Sequence, residues 1–182
     1  MKTYIRFENG KQVEVTILET RPIGENWKIA PKNFDFKKAY RLTASGAIEE
    51  VPEEVLKEEQ LASSKEIALV ELSRLVENAR SKYIGNTPTK QKCYELQEKA
   101  AQAVLDDSNS SLGNLIKPLA DVREISITEM AELILEKSTL ANQKIIAAEA
   151  IEDEYQILIE EAENSLKLAE LLSEVSIKTE GF

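Results

Sequence analysis

Between Leu119 and Glu180 the chain has neither glycine nor proline, and within that stretch Ile134, Ala141, Ala148, Tyr155, Ala162 and Ala169 recur at seven-residue intervals. A run of this length without a helix breaker, with small or apolar residues at heptad spacing, reads as one long helix with a packing seam along one side. Ser126 and Glu129 form an S-x-x-E capping box at its start, just ahead of Met130, Leu133 and Ile134. Helix is therefore expected from near 127 to 173, roughly 70 Å at 1.5 Å per residue. A break near Lys137–Ala141 is open, but no residue there compels one.

Alanine at the repeating positions lets another helix approach closely but buries little area per contact. Ile145, Ile151, Leu158, Ile159, Leu166 and Leu172 must supply most of the stabilisation, at about 1.5–3 kcal/mol for each fully buried side chain. Apolar residues flank the seam from Ile157 to Ile159 and from Leu166 to Leu172, so more than one packing partner is implied. Those partners are helices of the same chain, helices of further copies, or both.

Three shorter helices precede the long one, near 52–84, 88–105 and 114–123. Pro52, Glu53 and Glu54 place a proline and two acids in a first turn, and Ala68, Leu69, Leu72, Leu75, Val76, Ala79 and Tyr83 form one stripe before Gly85-Asn86. Thr87-Pro88 caps the second helix, whose inward series is Cys93, Leu96, Ala100 and Val104. On that series Cys93 is a small core residue, and a lone cysteine offers no intramolecular disulfide. Pro118 forces a late start or a kink in the third helix.

Residues 1–50 are of another kind, holding six of the ten aromatic residues and three of the six glycines. Alternation through Ile5 and Phe7, the turn Asn9-Gly10, and alternation again through Val13, Val15 and Ile17 predict a β-hairpin, because both turn residues tolerate positive φ. A second short hairpin is expected across Tyr40–Thr43 and Ile48, and Trp27 and Ile29 anchor the irregular stretch between them. The fold class is thus mainly α: a small N-terminal β module, 1–50, followed by a long-helix bundle or coiled coil, 51–182.

The chemistry open to this chain is narrow. Histidine is absent, and no nucleotide, metal or nucleophile motif stands intact. Asp107-Ser108-Asn109 fails as a calcium loop, because Leu112 and Pro118 stand where glycine and glutamate are required. Glu160, Glu161 and Glu163 lack the histidines of a di-iron bundle and read as a solvated face. Ser63-Ser64-Lys65 cannot form a dyad, since adjacent helical residues point apart. No enzymatic activity and no cofactor are expected.

Residues 1–50 carry nine Lys/Arg against seven Asp/Glu, and residues 51–182 carry fourteen against twenty-six, so the module is +2 and the helical region −12. An acidic helical surface repels phosphate backbones, which speaks against nucleic acid as a partner. With 31% charged residues and no run of about 18 apolar ones, the chain reads as folded and without a membrane span. The alternating N-terminus lacks the apolar core of a signal peptide, so folding in a cytoplasm is expected.

From Tyr94 to Ala162 the chain resembles a helical region of tailed-bacteriophage tail proteins. The resemblance rests on Tyr94-Glu95-Leu96 through Ala103–Asp106, Pro118-Leu119-Ala120-Asp121, Arg123-Glu124-Ile125-Ser126 and Glu129–Ile134. That family usually has glycine where this chain has Glu124. Trp27-Lys28-Ile29-Ala30-Pro31 is also similar to the aromatic leader of phage tail-fibre and fibre-assembly proteins. The resemblance implies a structural or adaptor component of a virion tail, with other tail proteins as partners and a homo-oligomer, a trimer favoured. In that reading Trp27, Phe34, Phe36 and Tyr40 bind the partner, and Ile134, Ala141, Ala148, Tyr155, Ala162 and Ala169 form the seam between copies. The alternatives are a tail-fibre assembly chaperone and a host-directed protein inhibitor.

Overall fold

Asn9 and Gly10 both take positive φ, 50° and 79°, and close a hairpin between β1 (Lys2–Glu8) and β2 (Lys11–Leu18). The computed structural model describes residues 1–85 and 87–182, in two units, Met1–Ala62 and Ser63–Phe182. The chain is mainly α with an N-terminal β module.

In the first unit β3 (Trp27–Ile29), β4 (Tyr40–Leu42) and β5 (Ile48–Glu50) complete an antiparallel sheet of order β3-β1-β2-β4-β5. Arg6 pairs with Glu14 and Phe7 with Gln12, so Val13 is the extra residue of a bulge. Ile5, Phe7 and Tyr40 are buried together, with Val15, Ala30, Phe34, Leu42 and Ile48 packed around them. Both hairpins expected from the sequence are present. Of the two expected anchors Trp27 is buried, whereas Ile29, two residues on along the same face of the short edge strand, is exposed.

Helix α1 (Glu53–Ser81) begins in the first unit, and its stripe of Ala68, Leu72, Val76 and Ala79 is buried in the second. It stops slightly before the expected 84; of the expected Gly85-Asn86 stop, Asn86 lies outside the described residues. Helix α2 (Pro88–Asp106) opens on Thr87, whose side chain accepts from the Lys90 amide. Its inward stripe turns onto Ala100, Ala101 and Val104, so Cys93 and Leu96 stand exposed at its side rather than in the core. The third expected helix splits into a 3₁₀ turn, Ser111–Leu115, and α3 (Lys117–Arg123), since Pro118 fits only in a first turn.

Helix α4 (Ile127–Glu161) starts at the capping box: the Ser126 hydroxyl accepts from the Glu129 amide at 3.1 Å, and Glu129 accepts from the Ser126 amide at 2.8 Å. That backbone donor holds the Glu129 carboxyl below its ordinary range. At 35 residues α4 is about 52 Å long. Its first part packs on α2 and the 3₁₀ turn through Ala100, Ala101, Val104, Ile116 and Ala131.

The helix expected to continue to 173 ends at Glu161, and a separate α5 (Ser165–Glu180) folds back along it. Ala162 is extended at φ −61°, ψ 132°, and the Asn164 side chain accepts from the Lys167 amide at 2.9 Å. Asparagine here starts a new helix by satisfying one of its free amides, with no glycine or proline needed. The antiparallel pairing shows in the Tyr155 hydroxyl donating to Glu174 at 3.0 Å and in the Lys178–Glu154 ion pair at 3.2 Å. Helix α1 covers another side of the same part of α4, since Lys65 donates to the Glu160 carbonyl at 2.6 Å and Ser73 to Glu152 at 2.8 Å.

Glu124, which ends α3, sits in the left-handed region at φ 56°, ψ 38°. An L side chain there costs about 1–2 kcal/mol that glycine does not incur, offset in part by glycine's freer unfolded chain. Glu124→Gly is expected to stabilise the helical unit by about 0.5–1 kcal/mol, read as a higher thermal midpoint at 222 nm. A lower midpoint would mean that the Glu124 side chain contributes more than its backbone costs.

Candidate protein–protein interface

The four aromatic residues singled out by the sequence do not share one surface. Trp27 lies on β3 opposite Arg6 and is buried, with the Arg21 guanidinium donating to its carbonyl at 2.8 Å. Tyr40 is buried on β4, and its hydroxyl accepts from the Asp35 amide at 2.9 Å. Phe34 is half-buried, its ring tilted against that of Tyr40 at 4.9 Å. These three belong to the interior of the module. Phe36 does not: it is 62% exposed and meets Phe34 edge-on, ring centres 5.0 Å apart.

A local turn holds Phe36 outward, because the Asp35 carboxylate accepts from the Lys37 amide at 2.9 Å. The Lys38 ammonium beside it pairs with Glu50 at 2.7 Å, and that carboxylate's hydrogen bond and charge raise the Lys38 pKa. An exposed aromatic ring among lysines, held by a half-buried neighbour, is a ready contact for another protein's apolar side chain and carboxylates.

The seven-residue series is divided between two helices. Ile134 and Ala141 are half-buried on α4, and Ala148, Tyr155 and Ala162 are buried inside the chain. Ala169 is exposed on α5, because the reversal at 162–164 takes it off the α4 stripe. The chain's own α1 and α5 thus cover the central part of the series.

One charged cluster lies between α1 and α4. Arg80 reaches Glu152, Glu149 at 2.6 Å and Glu77 at 3.6 Å, while its Nε has no hydrogen-bond partner. Burial works to lower the Arg80 pKa, but the hydrogen bond and charge of Glu152 outweigh it and the net shift is upward. The cluster ties two helices together. Among the described residues, no group of three or more His, Cys, Asp or Glu is placed to hold a metal ion.

A shallow depression in the first unit is bounded by Gly10, Gln12, Tyr40, Leu42, Val55 and Glu59. Among the described residues no helix is long and apolar enough to cross a membrane. Comparison with protein-family models, curated proteins and solved structures returned no match.

Proposed function

We propose that this chain is a non-catalytic adaptor of a bacteriophage tail, which attaches a fibre or another tail element through protein–protein contacts. Residues 1–62 dock and the helical unit serves as the rigid part. The observation that carries the docking role is Phe36, an aromatic side chain left 62% exposed by a module that buries Trp27 and Tyr40. A ring already held in place loses little side-chain freedom on binding, so its contact area converts efficiently into affinity. The phage setting rests on the resemblance over Tyr94–Ala162.

The test is mass spectrometry of purified phage particles. The adaptor reading expects the chain there in fixed ratio to the other tail proteins, and Phe36→Ala is expected to cut its incorporation at least tenfold while leaving the circular dichroism unchanged. Presence in the lysate but not in particles would turn the reading to an assembly chaperone. Incorporation that ignores Phe36→Ala would remove that residue from the docking surface.

A further inference from the structure

Strand β2 is paired along one edge and nearly bare along the other. β1 pairs with it from Lys2↔Leu18 to Glu8↔Lys11, whereas β4 meets its far edge at Lys11↔Arg41 alone. Among the described residues, no strand takes up that edge from Val13 to Leu18. Val13 and Ile17 are 45% and 50% exposed, and Leu18 is exposed as well. The bare stretch contains one charge, Glu14, and neither the lysine nor the proline that commonly blunts a strand edge.

We propose that this edge pairs with the same edge of a second copy, β2 against β2 in antiparallel sense, joining two sheets across a two-fold axis. The sequence along the edge selects the partner and the register. Directly opposed residues in an antiparallel pair point to the same face. A pairing that keeps the apolar faces of both sheets on one side therefore sets some residue of β2 opposite itself.

Centring on Glu14 opposes two carboxylates, and centring on Thr16 sets Val13 level with Glu19, beyond the end of the strand. Centring on Val15 does neither. Val15 then faces its copy, Val13 comes opposite Ile17, and Glu14 opposite Thr16. Centres further along the strand shorten the overlap. The Val15 register covers both exposed β-branched residues and opposes no like charges. The fit continues at the ends, because β2 stops at Leu18 and leaves the line of the edge just where β4 occupies it.

Sedimentation velocity of the full-length chain across a range of concentrations is expected to give a species of twice the 20.4 kDa chain mass. The double variant Val13→Lys, Ile17→Lys sets lysines opposite each other at both ends of the pairing and should weaken the dimer at least tenfold. Val13→Lys, Ile17→Glu sets lysine opposite glutamate in this register and should keep the dimer. Both variants alter exposed positions, so each serves as the folding control for the other. A wild-type monomer or trimer, a dimer indifferent to the lysine pair, or failure of the lysine–glutamate variant to retain it would each overturn the proposal.

Discussion

Phe7→Ala is expected to destabilise the N-terminal unit strongly while the helical unit is left nearly unchanged. Phe7 is 2% exposed and shares the small core with Ile5 and Tyr40. Truncating such a ring costs about 3–5 kcal/mol. A unit of this length has a total stability of roughly 3–9 kcal/mol at the usual value per residue. The substitution therefore removes from about a third to all of it.

The only tryptophan of the chain, Trp27, is buried in this unit, so its fluorescence reports Met1–Ala62 while ellipticity at 222 nm reports mainly the helices. In urea the fluorescence midpoint of Phe7→Ala should fall well below that of the unaltered chain, with the ellipticity midpoint nearly unmoved. If the two midpoints fall together, the chain unfolds as one cooperative body.

The second large effect is expected at Tyr155. It is 2% exposed on α4, its hydroxyl donates to Glu174 of α5, and the Lys178 ammonium lies 4.7 Å from its ring centre. Tyr155→Ala empties this position between the two antiparallel helices and should cost about 3–5 kcal/mol. Tyr155→Phe keeps the ring and its cation contact and should cost only about 0.5–1.5 kcal/mol, the usual net worth of a hydrogen bond. Urea unfolding followed at 222 nm measures both. Equal losses would assign the site to its hydrogen bond, and a loss below about 1 kcal/mol for alanine would show that the reversal does not depend on this packing.

The helix starts and turns were readable because each is settled within four residues. Asn9-Gly10 closes a hairpin, Thr87 and Ser126 satisfy free amides three residues on, and Pro118 takes a first turn. Asn164 works by the same local chemistry, yet its signal was hidden. Asparagine is tolerated inside helices, and the alanine series ran through it without a change of spacing. The reversal became decisive only because α5 could lay Leu168, Leu171 and Val175 against the rest of the helical unit.

Of the aromatic candidates, Phe36 keeps an exposed ring, and composition gave no means of separating it from Trp27, Phe34 and Tyr40. All four have the same capacity to bind or to fill a core, and the sheet decides which they do. The bare edge of β2 was likewise out of reach of the sequence, which marks β2 as a strand but not the strand order that leaves one side unpaired.

By itself, then, the sequence determined the kinds of element, their caps and turns, and that the middle of the long repeat, Ala148, Tyr155 and Ala162, would be covered, though it gave no sign that Ala169 would be left exposed. What covers them was decided by tertiary structure. A heptad spacing reports that a face is apolar, and hydrophobic burial is non-directional, so helices of the same chain satisfy Ala148, Tyr155 and Ala162 as well as helices of another copy would.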